Sequence, residues 1–251
     1  MSDNLYKYLL MLGDNAMVLG HRLSELCGHG PSLETDIALT NISLDLYGQV
    51  RNYFQYAASL KGEEVTEDTI AFLRPEREYL NVILVEQPNA NFAHVVVRQY
   101  FFDLYQSMLL PVLLQSKDEQ IAAIATKSIK ESKYHLRFSS QWIKRLGGGT
   151  EESHQKVKDA VMHLLPYTHE FFTNSAVEEA MNKEGIGADS SSMITDYYAA
   201  VNVLLEEANL NDIPELQPRV VKGKSGIHSE HMGFILSELQ YMQRAYPNMT
   251  W

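Results

Sequence analysis

The sequence has little cysteine, no long apolar run and no recognisable export signal. A single cysteine, Cys27, excludes an internal disulfide and an iron–sulfur cluster held by this chain alone, because a cluster needs several thiolates. No run approaches the roughly 18 consecutive apolar residues of a membrane span. The stretch MSDNLYKYLL also lacks the basic-then-apolar layout of a secretory signal. We therefore expect a cytoplasmic protein without a membrane segment.

Basic residues are outnumbered: 21 lysines and arginines stand against 32 aspartates and glutamates, a formal net charge of -11. This charge repels phosphate backbones, and the best basic stretch, RVVKGKSG at 219–226, is short. The sequence also has no glycine-rich phosphate loop before a helix and no Gly-x-Ser-x-Gly elbow. We expect no nucleic-acid partner, and nucleotide-binding and serine-hydrolase functions are disfavoured.

What the sequence does have is helical periodicity. Apolar residues recur at intervals of three and four through most of the 251 residues, whereas strand signals are nearly absent. This pattern predicts an all-α protein with one domain over 1–251, made of a core bundle over about 5–146 and C-terminal helices over about 152–245. The bundle is predicted as two hairpins, with helices over about 5–27 and 33–60, then from EQPNANF to about 114 and from SKDE to KRLGGG. Further helices are expected near 70–85, 152–173, 175–184, 190–209 and 228–245.

Four acids are spaced alike relative to the turns of the two predicted hairpins. Each lies 14 residues from its turn, which corresponds to about 21 Å along a helix. Because each acid also interrupts an apolar or small-residue stripe, all four are expected to point inward at one level. Buried acids are rare unless they are paired, protonated or bound to a cation. The four are Asp14 and Asp45, counted from Gly28 and Pro31, and Asp103 and Glu131, counted from Lys117.

Four carboxylates at one level form the frame of the ferritin-like di-iron site, in which two helices each supply a Glu-x-x-His pair. The position three residues after Asp45 is Gly48, which has no ligand atom, and the position three after Glu131 is Tyr134, a poor substitute for imidazole. His135 follows one residue late, about 100° further round the helix. The sequence thus predicts a degenerate di-iron site that keeps oxygen ligands, loses nitrogen ligands and holds no metal.

Other interpretations of the acids stay open. Without metal, repulsion and burial should raise some of their pKa values, or arginines, lysines, Tyr134, Gln49 and Gln106 must pair with them. An iron-storage or ligand-binding bundle is a further class, for which the sequence offers no positive feature. The enzyme alternative is a divergent di-iron carboxylate oxygenase that uses Asp14, Asp45, Asp103, Glu131 and His135.

Five stretches of the sequence are typical of a known family: LGDNAMVLGHRLSELCGHGP, ALTNISLDLYGQVRNYFQYAASL, LVEQPNANFAHVVVRQYFFDLYQ, IKESKYHLRFSSQWIKRLGGGT and KSGIHSEHMGFILSELQYMQRAYP. Through them, and over nearly its whole length, the sequence resembles the structural subunit of bacterial phenylacetyl-CoA epoxidase, the PaaC family of phenylacetate degradation. The resemblance implies a ferritin-like helical subunit that binds a homologous di-iron subunit and supports ring epoxidation of phenylacetyl-CoA without being the oxygenase. The family pattern already lacks a complete ligand set, and this chain departs further by placing Gln106 three residues after Asp103.

The same resemblance implies the cofactors and partners. Iron belongs to the catalytic partner, and FAD and an iron–sulfur cluster belong to a reductase that acts through the complex, so this chain itself binds no cofactor. A small subunit of the oxygenase core is a further partner, and we expect the free chain to form a homodimer.

Two C-terminal features are weaker. Lys222 and Lys224 are candidate contacts for the phosphates of a coenzyme A held mainly by the catalytic partner. GIHSEHMG places His228 and His231 three residues apart, whereas a zincin needs four. We interpret this motif as a helix start used for packing or for contact with another subunit.

Overall fold

A computed structural model describes residues 2–247 and 249, and the prediction of an all-α protein is confirmed over them. These residues contain no β-strand, only an isolated bridge between Lys222 and Ile227. The chain divides into two compact units, residues 1–86 with 222–251 and residues 87–221. One domain over 1–251 stays a prediction, and residues 1, 248, 250 and 251 of that range lie outside the described residues. Over the described part of the chain, no helix combines the length and the apolar character that crossing a membrane requires.

Ten α-helices account for most of the described residues. Short 3-10 segments lie at Glu76–Glu78, Ile83–Glu86, Leu165–Phe172, Ser190–Met193 and Gly223–Ser225. The helices are α1 (Ser2–Ser24), α2 (Leu33–Ser59), α3 (Glu67–Phe72), α4 (Phe92–Leu113), α5 (Glu119–Gly147), α6 (Glu151–Leu164), α7 (Ala176–Glu184), α8 (Ile194–Glu207), α9 (Glu230–Leu239) and α10 (Tyr241–Ala245).

The two predicted hairpins are present, one in each unit. In the first unit α1 packs along α2, and in the second α4 packs along α5. Both helices of the second hairpin begin at a capping side chain within the predicted segments EQPNANF and SKDE. Asn91 accepts a hydrogen bond from the backbone N–H of His94 (3.1 Å), and Asp118 accepts one from that of Ile121 (2.9 Å). Each cap satisfies a backbone donor that has no partner within its helix.

Four of the shorter predicted helices are divided in the structure. The predicted helix at 190–209 is a 3-10 segment followed by α8. Residues 70–85, predicted as one helical piece, contain the end of α3, one 3-10 turn and most of another. The predicted helix at 152–173 is α6 followed by a 3-10 segment, because Pro166 has no N–H to continue the α-helical hydrogen bonds. The predicted helix at 228–245 is α9 followed by α10.

Candidate functional site

Asp14 on α1 is fully buried, and its carboxylate is held by one side chain and one backbone group. The guanidinium of Arg74 donates to both oxygens, with 3.1 Å between Nη1 and Oδ2 and a second bond from Nη2 to Oδ1. The backbone N–H of Leu80 also donates to Oδ2, at 2.8 Å. The cation that neutralises this buried acid is therefore an arginine of the same unit.

Arg74 is itself held in place from several sides. Its Nε donates to the carbonyl of Ile70 (2.6 Å), and its Nη1 donates to the carbonyl of Glu78 (2.9 Å). The guanidinium lies over the ring of Tyr79, 4.1 Å from the centroid. Burial lowers the pKa of Arg74, but the charge and hydrogen bonds of Asp14 outweigh it, so that pKa lies above its ordinary value. Arg74 thus stays charged.

Asp14 and Asp45 do not lie at one level, so that part of the prediction is wrong. Ser24, the last residue of α1, meets Ser43 with 2.9 Å between their Oγ atoms, and Ser43 lies ten residues into α2. Gly13, next to Asp14, packs against the ring of Phe54. Counting from either contact places residue 53 opposite Asp14, so Asp45 is offset from Asp14 by eight residues, or about 12 Å. Two residues equally far from the turn lie at the same height only when both helices end at the same level beside that turn. Here the N-terminal end of α2 extends past the C-terminal end of α1.

Asp45 is half-buried rather than fully inside, and Gly48, one turn further along α2, borders open space. A Cβ built on Gly48 meets no atom within 4 Å, whereas one built on Gly13 overlaps the ring of Phe54. Gly48 therefore leaves room for a side chain but supplies no ligand atom.

Gly48→Ala is expected to raise the free energy of unfolding by about 0.5–1 kcal/mol, because alanine loses less backbone entropy than glycine in a helix. The matched variant Gly13→Ala should lower it by about 1–3 kcal/mol through overpacking against Phe54. Urea denaturation of both variants measures the two values. Equal effects of the same sign would contradict the packing described here.

Asp103 on α4 is also fully buried, but its hydrogen-bond donors are neutral. Gln99 Nε2 donates to Oδ1 (2.6 Å) and Ser139 Oγ donates to Oδ2 (3.0 Å). Burial raises the pKa of Asp103 well above its ordinary value, although both hydrogen bonds lower it. The expectation that burial raises the pKa of some of the acids holds at Asp103, but its partners here are Gln99 and Ser139 rather than Gln106.

The second hairpin repeats the offset of the first. Asp103 contacts Ser139, which lies eight residues beyond Glu131 on α5, so the two acids are about 12 Å apart along the helix and not at one level. Glu131 is half-buried, whereas His135 is 1% exposed. Tyr134 is 49% exposed, which corrects the expectation that it pairs with a buried acid.

A second buried charge cluster, which the sequence reasoning missed, surrounds Glu86 in the first unit. His228 Nδ1 lies 2.6 Å from Glu86 Oε1, and both side chains are fully buried. Ser229 donates to Oε2 through its backbone N–H (2.9 Å) and its hydroxyl (2.6 Å), and Asn81 Nδ2 donates to Oε1 (2.9 Å). This cluster fastens the start of α9 to the segment before Gln87.

The C-terminal motif starts a helix, as predicted. Ser229 caps α9 by accepting a hydrogen bond from the N–H of His231 (3.3 Å). Both ring nitrogens of His228 are engaged, Nδ1 by Glu86 and Nε2 by the carbonyl of Tyr79 (2.9 Å). Lys222 is exposed and Lys224 is half-buried, and their contact with coenzyme A phosphates stays a prediction.

Only weak local signals pointed to these clusters. Glu86 ends the apolar run NVILVE, and an acid directly after such a run is a candidate for burial. Arg74 stands before Pro75 at the end of the α3 segment, with nothing in its spacing to connect it with Asp14, 60 residues earlier.

The residues present do not fit a di-iron centre within either hairpin. The charge of Asp14 is already neutralised by Arg74, and Asp103 accepts hydrogen bonds from neutral donors in a site that favours its protonated form. Neither hairpin places its two acids at one level, and Gly48 cannot ligate. Iron needs ionised oxygen ligands and, in this frame, imidazoles.

Comparison with known proteins gives the family. All of residues 1–251 match the family described as phenylacetic acid catabolic protein. The chain is 48% identical over 249 residues to a subunit of the 1,2-phenylacetyl-CoA epoxidase of Escherichia coli (strain K12), covering 99% of this chain and 100% of that relative. The match and the helical architecture confirm the predicted all-α, ferritin-like fold. The chain belongs to the phenylacetic acid catabolic protein family.

Proposed function

We propose that this chain is a non-catalytic structural subunit of a cytoplasmic phenylacetyl-CoA 1,2-epoxidase complex, in which it binds and stabilises a homologous di-iron catalytic subunit. The observation that carries the proposal is the guanidinium of Arg74 on Asp14. An acid of the predicted iron frame has an arginine as its counter-ion, so its buried charge is compensated without a metal ion. The relative from Escherichia coli, which is named as one subunit of an epoxidase, supports a place in such an assembly.

The division of labour follows from the chemistry each subunit supplies. Ring epoxidation needs activated oxygen and electrons, and one cysteine cannot hold an iron–sulfur cluster in this chain. In the proposal, iron resides in the catalytic partner, and FAD and the iron–sulfur cluster reside in the reductase. The small oxygenase-core subunit is a further partner, and the homodimer of the free chain stays a prediction.

Reconstitution tests the proposal. This chain alone should turn over no phenylacetyl-CoA with the reductase present, and the catalytic partner purified without it should be poorly soluble or inactive until this chain is added. In the assembled complex, Glu131→Gln should leave turnover within about twofold, since a residue that does not ligate iron contributes nothing to the chemical step. Turnover by this chain alone, or full activity of the partner without it, would contradict the proposal.

A further inference from the structure

The outward face of α5 is basic, although the chain as a whole is acidic. Four basic side chains on α5 are solvent-exposed and follow one another at intervals of three, three and four residues. With a 1.5 Å rise, they extend along about 15 Å of one side of the helix. We call this set the basic stripe. It consists of Lys127, Lys130, Lys133 and Arg137.

The described carboxylates of the chain do not neutralise the basic stripe. Within residues 2–247 and 249, none of its four side chains forms an ion pair with a carboxylate. Other lysines of the same unit do: Lys144 pairs with Glu207, Lys156 with Glu152 and Lys158 with Asp212. Four unpaired cations on one helix face, in a chain with a net charge of -11, form a local positive field.

An aromatic row lies beside the basic stripe. Tyr134 is 49% exposed, and its ring centroid lies 6.4 Å from that of Phe138, which lies 6.5 Å from that of Trp142. Phe138 and Trp142 are each half-buried. Aromatic rings and arginine are the side chains most enriched in protein interfaces, because they combine rigid apolar area with polar groups.

From these observations we infer that the basic stripe and Tyr134 form a docking surface for a row of carboxylates on a different subunit of the same complex. This inference rests on the proposed function. A two-fold contact of α5 with a second copy would oppose like charges. Docking the stripe on an acidic face of another copy would be head-to-tail and would tend to form open assemblies. The net charge of the chain opposes nucleic acid and anionic membranes at longer range. An acidic protein face matches both the charge and the length of the stripe.

The test compares two triple variants that remove the same charge. Lys127→Gln, Lys130→Gln and Arg137→Gln remove three of the four charges of the stripe. Lys7→Gln, Lys61→Gln and Lys156→Gln remove three lysines that have ion pairs elsewhere. Biolayer interferometry measures binding to the remaining subunits of the complex at low and high NaCl. The stripe variant should bind about tenfold more weakly at low salt and lose most of the salt dependence, and the control should stay within about twofold.

Each outcome bears on a separate claim. If the unmodified chain binds and the stripe variant binds with the same affinity and salt dependence, the inference is wrong while the proposed function stands. If the unmodified chain binds none of the other subunits, the proposed function fails and the inference fails with it. Stripe-dependent binding to vesicles of anionic lipid, or stripe-dependent self-association in sedimentation, would identify another occupant and overturn the assignment.

Discussion

Arg74→Met is expected to lower the free energy of unfolding by about 3–5 kcal/mol, because it leaves the carboxylate of Asp14 buried without its counter-charge. Among the described residues, the backbone N–H of Leu80 would be the one remaining donor to that acid. The bonds from the guanidinium to the carbonyls of Ile70 and Glu78 are lost as well. Urea denaturation at pH 7, followed by circular dichroism, measures the change.

Two controls separate the ion pair from general packing. In the double variant Asp14→Leu with Arg74→Met, much of the loss should be recovered, because replacing a whole buried pair by apolar side chains is close to neutral. Asp103→Asn should change stability by less than about 1 kcal/mol, since that acid has neutral donors and a raised pKa. The account is contradicted if Arg74→Met costs no more than Arg51→Gln, whose pair with Glu67 is exposed.

His228→Gln is expected to lower the free energy of unfolding by about 2–4 kcal/mol at pH 6, where the histidine is charged. The reason is the buried pair with Glu86, which keeps its bonds from Ser229 and Asn81 but loses its cation. His29→Gln is the matched control, because that histidine is exposed and its ring contacts the nearby carbonyl of Cys27 rather than a buried acid. It should change stability by less than about 0.5 kcal/mol.

The effect of His228 should depend on pH in a defined direction. Burial lowers its pKa, but the hydrogen bond and charge of Glu86, together with the carbonyl of Tyr79 and the charge of Glu76, outweigh burial, so the pKa of His228 in the folded chain lies above 6.5. The stabilisation is therefore full below about pH 6.5, the pKa of histidine in the unfolded chain, and is lost as pH rises through the folded value. The stability gap between wild type and His228→Gln should shrink with rising pH. A gap that stays constant from pH 6 to pH 9 would contradict this.

Local chemistry predicted the helices well. The predicted start EQPNANF contains Asn91, which caps α4, and the predicted turn SKDE contains Asp118, which caps α5, because a cap depends on residues three positions apart. The burial of Asp14 and Asp103 was also predictable, because each interrupts an apolar stripe with helical period. The caps and the buried acids depend on residues that are close in the sequence, so they can be predicted from a single sequence.

The heights of the acids were not predictable by counting residues. They depend on where α1 stops against α2, and that contact is decided by Ser24 meeting Ser43 and by Gly13 accepting the ring of Phe54. A similar offset recurs in the other hairpin, where Asp103 meets Ser139. Side-chain packing determines such a register, so counting residues from a turn cannot predict it.

The partners of the buried charges could not be predicted from the sequence, for a related reason. Arg74 is 60 residues from Asp14, and His228 is 142 residues from Glu86. Long-range pairs leave no periodic signal in one sequence. The sequence showed that the acids need compensation, and the structure shows which side chains provide it.

Elemental analysis of this chain, purified alone from iron-replete cells, tests the central claim most directly. If protein donors already satisfy the acids of the frame, iron should be well below one ion per chain, even after ferrous iron is added and the excess removed. About two iron ions per chain, as in a ferritin-like di-iron site, with their loss in Glu131→Ala, would contradict the account.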